Sequence, residues 1–96
     1  MRLSKKSEKA NKLAFQISIE RSAQKSLTKI SKADQDKIIR SIQSLSDNPR
    51  PHGCKKLSSR EAWRIRIGNY RVIYEIDDRH SKILIVVIRH RRDVYR

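Results

Sequence analysis

With 96 residues the chain has room for one domain and a modest core, not for two. It carries 24 lysines and arginines against 10 aspartates and glutamates, a formal charge of +14. That excess favours a polyanionic partner: nucleic acid, an anionic membrane or an acidic protein. A bilayer span needs about 20 apolar residues, and the longest apolar run, residues 83–88, has six, so a membrane is the weakest of the three. The basic start has no apolar stretch behind it and reads as no export signal. Cys54, the single cysteine, excludes an internal disulfide and fits a reducing compartment, which places the expected location in the cytoplasm.

Residues 1–13 have few apolar positions and no period, and read as a basic N-terminal arm ahead of one domain over 14–96. Phe15, Ile17 and Ile19 alternate with Gln16, Ser18 and Glu20, the pattern of a strand with one buried face. Ser22 is placed to cap a short helix carrying Ala23, Leu27 and Ile30 on one side. Ser31, followed three residues later by Asp34, resembles a capping box opening a second helix, whose buried stripe is Ile38, Ile39, Ile42 and Leu45. Pro49, Pro51 and Gly53 then mark a loop, with Lys55-Lys56-Leu57 leading out of it and a turn expected over 58–61.

The stretch 62–76 reads as a β-hairpin closed by Gly68-Asn69, glycine first as a type II′ turn prefers. A two-residue loop sets Ile67 against Tyr70, Arg66 against Arg71, Ile65 against Val72, Arg64 against Ile73 and Trp63 against Tyr74. Trp63, Ile65, Ile67, Tyr70, Val72, Tyr74 and Ile76 then share one face, while Arg64, Arg66, Arg71, Ile73 and Glu75 share the other. One face is a core and the other largely guanidinium. Arginines on a wet sheet face can simply cover apolar surface with their stems; they can also converge on phosphate, which suits their flat fork of donors. After a turn at residues 77–81, the run 83–88 has no polar face and is expected as a strand covered on both sides near the middle of the sheet. The expected fold is α+β: an N-terminal strand, a helical hairpin, then antiparallel strands, all in one twisted sheet.

No metal site emerges from His52, Cys54, His80 and His90, because zinc sites show paired ligand clusters that one cysteine cannot supply. Two glycines, Gly53 and Gly68, make no phosphate-cradling loop, and no cofactor motif is present. What remains is Arg64, Arg66 and Arg71 with the closing His90, Arg91, Arg92 and Tyr95. If the last strand lies beside the hairpin, its end brings that cluster to the rim of the arginine face. Such a set fits RNA cleavage by the neighbouring ribose 2′-hydroxyl, where fixed guanidiniums oppose the charge that builds on phosphoryl oxygens. His90 is the natural candidate for proton transfer, since arginine and tyrosine titrate far above neutrality. Tyr95 can stack on a nucleobase, or its ring can simply pack against the sheet edge.

Lys56-Leu57, the stretch from Trp63 to Tyr74 and the closing Arg89-His90-Arg91-Arg92-Asp93-Val94-Tyr95 together resemble the RelE/ParE toxin superfamily, on its RelE branch. The resemblance implies the RelE-like microbial RNase fold and an mRNA interferase that enters the ribosomal A site and cuts translated messenger RNA without metal or cofactor. It implies Arg71 and Arg91 on the scissile phosphate, with Tyr95 stacking on or orienting the nucleotide. Arg64 and Arg66 assist, and Arg89, Lys55 and Lys56 join the RNA-binding set. It further implies an acidic, RelB-like antitoxin partner and a toxin–antitoxin heterotetramer. Two alternatives stand beside it: a ParE-like inhibitor of DNA gyrase, and a basic nucleic-acid-binding module without catalysis.

Overall fold

The structure is a computed structural model that describes residues 14–58 and 61–94. The expected arm over 1–13, the middle of the turn over 58–61, and Tyr95 lie outside the described residues. In chain order the elements are β1 (Gln16–Ile19), α1 (Arg21–Thr28), α2 (Lys32–Ser44), β2 (Lys55–Lys56), β3 (Ala62–Ile67), β4 (Tyr70–Asp77), β5 (Lys82–His90) and a single turn, α3 (Arg91–Val94).

The five strands form one sheet in the order β1-β5-β4-β3-β2. β3 and β4 pair antiparallel with the register that the turn at Gly68-Asn69 dictates, Arg66 opposite Arg71 and Trp63 opposite Tyr74. Gly68 sits at φ +59, while Asn69 keeps a negative φ, so the left-handed residue comes first as a type II′ turn requires. β5 lies between β4 and β1, inside the sheet, but the expected cover on both sides is corrected: Ile83, Ile85 and Ile88 on the helix side are buried, while Leu84, Val86 and Val87 are only half-buried, because the helices pack on one face alone. β1 joins β5 in parallel, so the sheet is mixed; the antiparallel part runs from β5 to β2. Lys55 and Lys56, expected only to lead out of a loop, form the short edge strand against Arg64 and Trp63.

The helical hairpin packs on one face of this sheet. Ala23 of α1 and Ile38, Ile42 and Leu45 from α2 and its C-cap meet Ile65, Val72, Tyr74, Ile83, Ile85 and Ile88 in one buried cluster. Eight of the side chains in it, Tyr74 and Ile85 among them, are almost wholly removed from water, and non-directional burial of this kind is what holds the layers together. Ser31 caps α2 as its sequence announced, its hydroxyl accepting from the Asp34 N–H at 3.4 Å. Ser22 does not cap α1. The helix starts two residues earlier than that cap would set it, at Arg21, with Glu20 at the cap position and no side-chain bond there.

Polar contacts fasten the layers at their ends. Phe15 N–H donates to the Ser46 carbonyl at 2.8 Å, and the Ser46 hydroxyl returns a bond to the Phe15 carbonyl at 2.7 Å. The loop after α2 is held by Tyr74, whose hydroxyl donates to the Pro49 carbonyl at 2.7 Å. Arg50 reaches the β4–β5 turn with a two-pronged bond to Asp78, at 2.8 and 3.2 Å, and lies 4.9 Å from the centre of the Trp63 ring.

Candidate nucleic-acid interface

The face turned away from the helices carries the charge. Alternation along β3 and β4 puts Arg64, Arg66 and Arg71 there, opposite in phase to the core residues Ile65, Val72 and Tyr74. β5 adds a fourth arginine through an irregularity. Ile73 pairs with Val87 but Tyr74 pairs with Ile85, so Val86 is an extra residue and forms a β-bulge. Before the bulge Ile83 and Ile85 face the helices; after it, Ile88 and His90 do, and Val87 and Arg89 take the other side. Arg89 therefore pairs with Arg71, which pairs with Arg66. Three arginines stand in one row across three adjacent strands, within about 10 Å of one another along the hydrogen-bonding direction.

Lys55 extends the basic face one row away, directly opposite Arg64. Arg91 is brought to the same end by the backbone: its N–H donates to the Asn69 carbonyl at 2.7 Å, starting α3 against the hairpin turn. Arg66, Gly68, Asn69, Tyr70, Arg71 and Arg91 line one small cleft of about 90 Å³. Asn69 is the anchoring residue that sequence reasoning missed, since nothing in a turn dipeptide tells which later N–H its carbonyl will receive. Arg71 is 8% exposed, the one buried charged side chain among the described residues. Like charges opposite one another cost part of the roughly 0.2 to 1 kcal/mol that such pairs are worth, so the row concentrates positive potential at some expense in stability.

Not every expected site residue joins it. His90 lies across from Tyr70 on the helix side, ring edge to ring face at 5.2 Å and 87°, and its Nδ1 accepts from the Arg92 N–H at 3.2 Å. The bulge that delivers Arg89 to the arginine row is what carries His90 away from it. Lys56 is paired with Glu61 at 3.1 Å and sits opposite Trp63, out of phase with the row. Tyr95 lies outside the described residues. Among the described residues, no group of three or more histidine, cysteine or acidic side chains is arranged to hold a metal ion, and no helix is long and apolar enough to cross a membrane.

A mixed five-stranded sheet with a helical hairpin on one face and an arginine row on the other defines a small, strongly basic α+β protein of the RelE type. The chain belongs to the ParE toxin family of type II toxin–antitoxin systems: the family described as "ParE toxin of type II toxin-antitoxin system, parDE" matches residues 17–95. It is also 48% identical over 31 residues to Toxin RelG of Mycobacterium tuberculosis, a match that covers 32% of this chain and spans only 36% of that relative. Among solved structures, the archaeal RelE–RelB complex from Pyrococcus horikoshii aligns with TM-score 0.75 at 25% identity, over 81% of this chain and 96% of that one. The RelBE2 toxin–antitoxin complex from Mycobacterium tuberculosis aligns with TM-score 0.72 at 24% identity, over 80% and 98%.

Proposed function

We propose that the chain is a toxin that cuts translated messenger RNA in the ribosomal A site, an mRNA interferase working without metal. The observation that carries this reading is the row Arg66, Arg71 and Arg89 with Arg91 anchored at its end. In the reaction the ribose 2′-hydroxyl attacks the adjacent phosphorus, the 5′-oxygen leaves, and a 2′,3′-cyclic phosphate and a 5′-hydroxyl result. One proton leaves the 2′-hydroxyl and one reaches the departing 5′-oxygen. Charge builds meanwhile on the non-bridging oxygens, where Arg71 and Arg91 neutralise it and Arg64, Arg66 and Arg89 hold the flanking backbone. Tyr95 is assigned the stacking role. With His90 turned to the helix side, positioning and electrostatics supply most of the rate and the ribosomal surroundings orient the hydroxyl.

An acidic, RelB-like antitoxin supplied by a neighbouring gene completes the proposal, in keeping with the solved relatives that carry RelB. The pair assembles in the cytoplasm, as a heterotetramer. Co-expression of that gene is expected to abolish growth arrest.

The test is a translating extract programmed with a defined messenger, with transcript ends mapped. Wild type is expected to cut within translated codons, and Arg71→Ala to cut at least about 10²-fold more slowly, the loss that removal of one transition-state donor causes. Silence from both overturns the assignment. A second reading, inhibition of DNA gyrase, is favoured by the match to the ParE family; accumulation of gyrase-linked DNA breaks without transcript cuts would select it.

A further inference from the structure

The charge excess is not exhausted by the arginine row. Arg21, Lys25 and Lys29 recur every fourth residue along α1 and its C-cap, and all three are exposed. At 1.5 Å rise per residue this sets one cation about every 6 Å along the helix. Like charges four apart cost a helix about 0.2 to 0.5 kcal/mol per pair. Among the described residues none of the three has an ion-pair partner; the ion pair of the helical hairpin is Lys32 with Asp36, on α2, at 3.6 Å. The core contacts of α1 come from Ala23 and Leu27, so the ladder contributes nothing to packing.

Beside the ladder the sheet is open. Pairing of β1 with β5 ends at Ile19 and Ile85, where the Glu20 N–H takes the Ile85 carbonyl. Beyond that point no described strand covers the outer edge of residues 86–90. A groove of about 450 Å³ runs there between β5 and α1, where Ser26, Lys29, Tyr70, Arg89 and His90 stand beside the aliphatic Ile30 and Ile88. A narrower extension of about 90 Å³ continues past Ser22 and over residues 86–89. The N–H groups of a strand edge, the Ser22 hydroxyl and two cations are donors for anionic oxygen, while the Ser26 hydroxyl donates to the Ser22 carbonyl at 3.2 Å. The Tyr70 and His90 rings at the end of the groove offer a surface for a base. Arg89 belongs to both the groove and the arginine row, so one surface runs into the other.

We infer that the ladder on α1 and the groove beside β5 form a second RNA surface, which holds the phosphodiester backbone of a single-stranded segment continuing from the one on the arginine row. The inference rests on reading that row as an RNA site. An extended acidic peptide pairing with the strand edge is the competing occupant. It would fill the groove but leave Arg21 and Lys25, spread along the outward side of α1, without counter-charge, whereas a polynucleotide presents phosphates over the whole length.

The experiment measures binding of a short fluorescein-labelled RNA with 2′-O-methyl riboses, which cannot be cut by 2′-hydroxyl attack, by anisotropy between about 50 and 200 mM salt. Three proteins are compared: wild type, the triple variant Arg21→Gln, Lys25→Gln, Lys29→Gln, and a control of equal charge change on α2, Lys32→Gln, Lys37→Gln, Arg40→Gln. Matching thermal melts establish that both variants fold. The ladder variant is expected to lower the slope of log Kd against log salt by about 2, three phosphate contacts at about 0.7 each, and the control by less than half as much. Equal slopes for the two variants overturn the inference, as does an unchanged slope in the ladder variant. A glutamate-rich peptide that binds wild type and not the ladder variant, while RNA binding is unaffected, overturns it in favour of the peptide. Transcript mapping separates the two claims. A wild type that never cuts sinks the nuclease reading, whereas normal cutting without a ladder-specific slope sinks only the second surface.

Discussion

Arg71 lies directly opposite Arg89 across β4 and β5, and the pairing depends on Val86 being one residue more than a regular strand would hold. Deleting a residue from a central strand normally turns every following side chain to the wrong face. Deletion of Val86 is expected to do the reverse: the bulge closes, Ile88 stays in the core and Arg89 stays beside Arg71, at a cost on the order of 1 kcal/mol. Deletion of Ile73 from the regular strand β4 drives Arg71 toward the helices and is expected to cost more than about 3 kcal/mol. Urea unfolding of the two variants decides it, and equal destabilisation would refute the placement of the bulge.

The arginine row sets stability against charge. Arg66→Thr removes one member of the Arg66–Arg71 pair and is expected to raise stability by roughly 0.2 to 1 kcal/mol at low ionic strength. The gain fades as salt shortens the reach of the repulsion. On the proposed reading of the row as an RNA site, the same variant is expected to bind RNA more weakly. Denaturation midpoints at low and high salt check the first half, and a midpoint that does not rise at low salt removes the repulsion from the account.

Burial pushes the Tyr74 hydroxyl well above the ordinary tyrosine range, with the neighbouring Cys54 adding to the effect. The folded state thus favours the neutral phenol. Its contribution is complete below the unfolded value near 10 and is lost as pH climbs toward the folded value. Tyr74→Phe is expected to flatten that alkaline decline. At neutral pH it costs about 1 kcal/mol, for the lost bond to the Pro49 carbonyl. Unfolding curves across the alkaline range measure both effects.

At the other limit, the hydrogen bond from Arg50 holds the Asp78 carboxyl below its usual range, and the bond with His80 does the same for Asp77. Carboxyls depressed in this way contribute above their unfolded value, near 3.9, and lose the contribution as pH falls through the folded one. Asp78→Asn is expected to be the less stable protein at neutral pH and to converge with wild type as pH falls through the lowered folded value. Parallel stability curves at all pH values would show that the Arg50 tether carries no weight.

Much of this architecture was written in local patterns. The alternation from Trp63 to Tyr74 around Gly68-Asn69 specified the hairpin register residue by residue, and Ser31 with Asp34 announced α2. Alternation needs contrast, however, and the all-aliphatic run 83–88 has none, so the bulge inside it left no pattern. The one trace was indirect: unbroken alternation from Ile83 and Ile85 would have buried Arg89, and a charge falling due in a core marks a change of phase. The location of His90 follows from that same missed phase. The parallel seat of β1 was hidden for another reason, since strand direction depends on the path of the helical hairpin rather than on any residue of β1.

That seat has a temporal consequence. Gln16 of β1 pairs with Lys82 of β5, across most of the chain, and contacts so distant in sequence form late. While the protein is being synthesised, the opening strand has nothing to lie against until β5 has emerged. The helices and the Gly68 hairpin can gather first, but β4 has no neighbour on its far side and Arg71 has no Arg89. A nascent chain therefore lacks the Arg66–Arg71–Arg89 row until β5 has emerged, and the row is assembled only after the helices and the hairpin.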